Sequence, residues 1–271
     1  MQSLPALIKL CDDPSPLVSG KVAQRLRELG SGVWDEIQVQ GIRLSASQRE
    51  VLEGIFASHD DETLREAWLW LSSHSNEHRY LESALLALCD WQTGSHSGAK
   101  GRLMLDELAV QFGDFEFDTD QSSDAAALSR FLFEEKGLLG AEPDDYYNPL
   151  HSNLVYTLES GRGLPITLAC IFILVGRRVG LAIEGCPFPG HFLARDGQSE
   201  QVFDPYNGGR PLSRGEVEIL IRAAPEEMTG PASAREIVAR VLRNLSMAYH
   251  HNGDLAKSGL MLSLLRLMDG D

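Results

Sequence analysis

Two side chains in this sequence have the type and spacing of an acid–base pair: His191 in PFPGHFLAR and Asp204 in FDPYNGG. They flank Asp196-Gly-Gln-Ser199 almost symmetrically, so two antiparallel strands joined there would set them as cross-strand neighbours on one face. A carboxylate that accepts from one imidazole nitrogen fixes the tautomer and leaves the other nitrogen as a usable base. Such a pair lacks only a nucleophile. The natural place for one is the helix start in GRGLPITLAC, where free N–H groups and the helix dipole stabilise a thiolate. Pro165 occupies that place.

Nearby residues replace it poorly. Thr167 is two positions on, so at roughly 100° per residue it points to nearly the opposite face. Cys170 is about 7.5 Å further along the axis, rotated by about 140°, in an apolar run where cysteine behaves as a small hydrophobe. Cys186 is the remaining candidate, at the end of one strand, with the Pro187-Phe-Pro-Gly190 turn leading to His191. Cys186, His191 and Asp204 together would make a cysteine-dependent hydrolase or acyl transferase. The plainer reading, a small residue filling a strand end, is preferred, because nearness in sequence supplies neither a helix N-terminus nor an oxyanion hole. Tyr146, Tyr147, Pro165 and Asn207 are candidates to line a binding cleft. His74 and His78 are four apart, but two histidines make no metal site, and His250-His251 falls in a polar turn. No metal or other cofactor is expected.

The elements that must position these residues are mostly helices. Leu4, Leu7 and Cys11 share a face; DDPSP interrupts it; and Val18, Val22, Leu26 and Leu29 continue at helical spacing until Gly30. Helix, turn, helix in this form is HEAT-like. Ser47-Gln-Arg-Glu50 predicts a capping box opening a third helix, and Leu64, Trp68 and Leu71 mark a fourth. YLESALLALCDW, LMLDELAVQF and DAAALSRFLFEEKGLLG predict further helices, with a solvated acidic loop over Asp114 to Asp124. His151 to Ser160 and Pro165 to Val179 are expected as a short and a buried helix, proline suiting a first turn. Strands follow: LAIE, then CPFPG as a connection, HFLARDG and QVFDPYNGG. Arg235 to Met268 reads as a helical hairpin split at His250 to Asp254. The organisation is α+β, with segments 1–76, 77–229 and 230–271.

The formal charge of −15 repels phosphate backbones and anionic lipid, which sets nucleic acid and membrane aside as partners and leaves a protein or peptide. Oligomeric state is not legible. The longest apolar run, Leu164 to Gly176, is too short to span a bilayer. Four scattered cysteines without a CxxC pair, and an N-terminus unlike a signal peptide, predict a cytoplasmic protein.

The run YYNPLHSNLVYTLESGRGLPITLACIFILVGRRVGLAIEG, then PFPGHFLAR and FDPYNGG, resembles the transglutaminase-like superfamily, and within it the SirB-type bacterial proteins with a tetratricopeptide-like tail. The match runs from about Tyr80 to Gly209 and continues in the helical pair after Ile237. The resemblance implies a papain-like core with an antiparallel sheet. Active members place a cysteine at a helix start, then histidine and aspartate on successive strands. Here Pro165 stands at the cysteine position, with His191 and Asp204 at the other two. The SirB-type branch resembles this chain in having proline there, which implies a non-catalytic binding or regulatory module. That branch typically reads YYDPRNS, whereas Asn148, Leu150 and His151 depart from it here.

Overall fold

The computed structural model describes residues 3–30, 32–74, 77–94, 96–116, 123–188, 190–223 and 230–269. The side chains of His74 and His78, and most of the acidic loop between Asp114 and Asp124, lie outside the described part. The chain separates into two compact units, Met1–Ala67 and Trp68–Asp271, so compactness divides it once, inside one long helix.

The first unit is built from α1 (Leu4–Leu10), α2 (Pro16–Leu29), α3 (Val33–Val39) and the first part of α4 (Ala46–His74). Prolines sit in the first turns of α1 and α2, where a missing N–H costs nothing, and Gly30 closes α2 at φ +71°. Leu7, Ile8, Cys11, Val22, Leu26, Leu52 and Phe56 form its core. The cap of α4 is Ser45 with Gln48, each side chain bonding the other's backbone N–H at 3.1 Å, two residues before the expected Ser47–Glu50 box. The expected third and fourth helices are one.

In the second unit α5 (Glu77–Thr93) packs on α6 (Ser97–Gly113). Gly98 permits this approach, since a Cβ there would lie 2.9 Å from the Leu86 carbonyl oxygen. Next come α7 (Asp124–Arg130), a π-helical turn over Phe131–Glu135, and α8 (Leu154–Ser160), capped by the Asn153 side chain. At the centre lies α9 (Pro165–Arg178), buried without interruption from Ile166 to Gly176. A helix apolar all round has no solvent face, so it must be wrapped by other elements.

The wrapping sheet is antiparallel, in the order β3 (Ile183–Phe188), β4 (His191–Asp196), β5 (Val202–Asp204), β6 (Arg210–Pro211). A separate parallel pair joins β1 (Leu139–Gly140) to β2 (Arg162–Gly163). Alternation along the strands turns Phe192, Ala194 and Phe203 to one side, where Phe203 meets Phe172 of α9 edge-on at 5.6 Å. The other side carries Cys186, Phe188, Leu193 and Val202, covered by Val217 and Leu220 of α10 (Arg214–Ala223). β3 runs through Cys186 and Pro187, which the sequence suggests as a connection. Proline is tolerated because β3 is an edge strand, and the Gly185 carbonyl points outward to Ala232 N, as does the face of Pro187 that lacks a donor. The chain ends in a hairpin of α11 (Ala234–His251), opened by a Ser233–Glu236 capping box, and α12 (Leu255–Asp269). The α+β class is as expected.

Candidate functional site

The start of α9 is held from below. The His151 carbonyl accepts from Leu164 N at 3.0 Å and from Thr167 Oγ1 at 2.9 Å, so the Thr167 hydroxyl is buried and already engaged. The His151 ring is itself buried, with Nε2 2.8 Å from Asp145 Oδ2 and Nδ1 3.3 Å from the Arg162 carbonyl oxygen. Both nitrogens are occupied, which makes this ring a strut rather than a base. The bond from His151, and a second from Asn148, hold the Asp145 carboxyl below the usual range. A depressed carboxylate stabilises the fold fully above its unfolded pKa of about 3.9, and that contribution fades as pH falls through the lower folded value. Asp145 is more than half exposed, so screening keeps the effect within about 1 kcal/mol. Urea midpoints from pH 6 to pH 3 should show wild type ahead of Asp145→Asn at neutral pH and the gap closing below pH 4.

His191 and Asp204 do not meet as the spacing suggested. The ladder pairs Ala194 with Phe203 and Arg195 with Val202, and one further step sets Leu193 opposite Asp204. The turn centres between Gln198 and Ser199 because Asp196 accepts from Gln198 N, Ser199 N and Ser199 Oγ, gathering the loop after itself. His191 therefore begins β4 opposite Phe188, exposed, and is at best a diagonal neighbour of Asp204 at roughly 7–8 Å. Among the described residues no hydrogen bond joins the two. Asp204 is buried and caps the 3-10 turn Pro205–Asn207, accepting from Asn207 N at 3.3 Å and from Asn207 Nδ2 at 2.7 Å.

The thiols are all free and buried. Cys186 lies opposite Leu193 in the patch of Phe188, Leu193, Val202 and Leu212. Burial pushes it to about 11, against a smaller opposing pull from Arg195. It shares a sheet face with His191 but makes no hydrogen bond to the ring. Cys170 inside α9 is pushed by burial to about 12, and Cys89 to about 11. Pro165 is partly exposed at the first position of α9.

Arg240 of α11 donates from Nη2 to the His191 carbonyl at 2.9 Å and to the Phe188 carbonyl at 3.3 Å, with its guanidinium 5.3 Å from the Phe192 ring centre. Tyr206 donates to the Ala141 carbonyl at 2.6 Å, its ring lying where a side chain at Gly140 would be. Tyr147 stacks on His251 at 4.2 Å, and Asn252 Nδ2 holds its carbonyl at 3.1 Å. Tyr146 stands edge-on to Tyr147 and lies within electrostatic reach of Arg240 and Tyr206. Arg240 is the residue that sequence reasoning missed. Its one signal is that Glu236, a helical turn earlier, belongs to the capping box and so is withdrawn from pairing with it.

Among the described residues no three His, Cys, Asp or Glu side chains gather as a metal set, and no helix is long and apolar enough to cross a membrane. The family model of the transglutaminase-like superfamily matches residues 99–243. A UPF0162 protein of Xylella fastidiosa (strain 9a5c) is 41% identical over 138 residues, covering 46% of this chain and 48% of its own. A UPF0162 protein of Pseudomonas aeruginosa is 29% identical over 187 residues, covering 63% and 67%. F-box only protein 21 of Mus musculus is 27% identical over 136 residues, covering 46% and 22%. The chain thus spans about half the length of the first of these relatives. No solved structure matches it at comparable stringency.

Proposed function

The chain belongs to the transglutaminase-like superfamily, and from that premise we propose that it works without thiol catalysis, as a binding or regulatory module for a protein or peptide. The observation that carries this reading is Pro165 at the first turn of α9, the position where the fold would activate a thiol. Two further facts support it. Asp204, the natural orienter of His191, gives both carboxylate oxygens to Asn207. Cys186 is buried among apolar side chains and titrates near 11. The helical parts at either end, HEAT-like over 1–76 and tetratricopeptide-like over 230–271, are proposed as partner-binding surfaces. Unpaired thiols fit a reducing cytoplasm.

The rival reading, acyl transfer or hydrolysis through Cys186, His191 and Asp204, draws on one feature: Cys186 and His191 occupy the same face of one hairpin. Iodoacetamide decides between them. A thiol near 11 holds so little thiolate at pH 7.5 that, even after allowing for its greater nucleophilicity, it should label more than about 20-fold slower than free cysteine. Cys186→Ser should keep every measurable interaction. Rapid stoichiometric labelling of Cys186 that disappears in His191→Ala would sink the binding-module reading.

A further inference from the structure

We propose that the stripe of α11 bearing the partly buried Arg240 and the exposed Arg243 and Met247, together with Tyr146 and Tyr147, receives an acidic peptide segment of a partner protein, its carboxylate on the two arginines and an adjacent apolar side chain on Met247 and the tyrosines. This names the ligand class for the module proposed above and rests on that reading.

The arginines carry the argument. They are three apart on one helix, so their Cβ atoms lie roughly 5–6 Å apart and their charges repel. The chain has 39 acidic residues to 24 basic, and several arginines of this unit are neutralised. Arg178 holds Glu82 and Asp106, Arg195 holds Glu184, and Arg210 holds Glu216. Among the described residues Arg240 and Arg243 make no ion pair. The helix offers them nothing either: Glu236 is locked to Ser233, while Ala239 and Met247 stand a turn either side of Arg243. Arg240 uses only Nη2, on two carbonyl oxygens, and its stacking on Phe192 fixes the guanidinium plane. Its remaining N–H groups are therefore pre-set donors for a carboxylate, which accepts two parallel bonds. Burial works against the charge of Arg240 and the neighbouring Arg243 adds to that cost, so an anion bound there would relieve it.

The neighbours decide what kind of anion. Met247 is 59% exposed, Tyr147 40% and Tyr146 37%; Met247 stands one helical turn past Arg243, and one turn further on His251 carries the stacked Tyr147, with Tyr146 edge-on to it. A bare inorganic anion would leave these untouched. A nucleic acid would bring a row of phosphates against a chain of net charge −15, whereas a short peptide brings one carboxylate to the two arginines. An acidic residue beside an apolar one satisfies both halves of the surface.

The test uses the full chain and two fluorescent pools of acetylated, amidated eight-residue peptides, one with a central Glu beside Leu, Phe or Met, the other with Gln in place of that Glu. Fluorescence polarisation should detect the Glu pool and not the Gln pool, with affinity falling as salt rises. Arg243→Glu is exposed and leaves the hairpin anchor intact, so it should weaken binding at least about tenfold; Arg243→Lys should recover part of it. Arg240→Ala is read only beside a thermal melt, because it also frees the β3–β4 hairpin. Equal binding of both pools, or binding indifferent to Arg243→Glu, overturns the proposal. So does inorganic phosphate protecting the chain while the peptides fail, or self-association of the chain blocking the site. The module reading fails separately, through fast His191-dependent labelling of Cys186, whatever the peptides do.

Discussion

Gly209→Ala is expected to destabilise the second unit by about 3–5 kcal/mol, a large share of the roughly 5–15 kcal/mol that holds a domain together. Two costs combine. Gly209 sits at φ +69°, a conformation in which alanine loses about 1 kcal/mol relative to glycine. A Cβ there would also lie 2.2 Å from Phe133 Cδ2 and 2.5 Å from Ser129 Oγ, overlaps that a packed interior relieves only by moving. Phe133 cannot yield freely, because it packs edge-on against Phe172, which in turn packs against Phe203. Two hydrogen bonds are at risk as well: Gly209 N to the Asp204 carbonyl at 2.8 Å and Ser129 Oγ to the Gly209 carbonyl at 2.7 Å. Gly208→Ala is the control. Its φ is +73°, but the nearest atom to a new Cβ is 3.7 Å away, so only the backbone cost of about 1 kcal/mol should appear. Urea denaturation of the two variants separates strain from overlap. Equal midpoints would mean that the loop is not packed on the π-helical turn as described.

That loop also shows where the sequence spoke and where it was silent. DPYNGG announces a tight turn after a strand, and Asp204 caps it, as an aspartate before a short helical turn commonly does. The closeness of Phe133, some seventy residues earlier, has no local signature. The buried helix α9 was legible because its apolar run is unbroken and a proline opens it. The length of α4 was not, since a capping motif and a later apolar triplet looked like two starts. Between Ala46 and His74 there is no proline and only Gly54, whose cost of about 1 kcal/mol is too small to end a helix. β3 was cut short for a related reason. Pro187 reads as a turn residue, and only its position on a sheet edge makes it harmless.

For the site, residue types were legible and register was not. His191 and Asp204 stand at the ends of their strands as expected, but a shift of one residue in the turn centre moves a cross-strand pair to a diagonal one. Asp196 decides that shift through side-chain bonds to its own loop, a contest that symmetric counting cannot see. The hold of Arg240 on the hairpin, by way of main-chain carbonyls, leaves no trace in the sequence of the strands themselves.

Pro165→Cys should create a thiol far more reactive than any the chain now has, and still no acyl transferase. The first position of a fourteen-residue helix puts sulfur beside unpaired N–H groups and the positive end of the dipole, in a partly exposed site. Thiols so placed titrate near 7–7.5 at the upper end of their range, which at pH 7 makes roughly 25–50% thiolate, against about 0.01% for Cys186 near 11. A less basic thiolate is also a weaker nucleophile, which returns a factor of roughly 30–60. The net gain from titration alone is then at least about 30-fold in iodoacetamide labelling, with exposure adding to it. Losing proline from a first turn removes little stability, so the fold should tolerate the change. Turnover of a peptide thioester or amide should remain at background, because the carboxylate that would orient His191 is bonded to Asn207. Adding Asn207→Ala frees Asp204 from that side chain's amide, and labelling of the introduced thiol in this double variant should then become sensitive to His191→Ala. If Pro165→Cys alone hydrolyses such substrates with a His191-dependent rate, the proline is the whole difference between this cleft and an active one. If it labels fast and does nothing more, the loss lies in the register of the hairpin as much as in the missing sulfur.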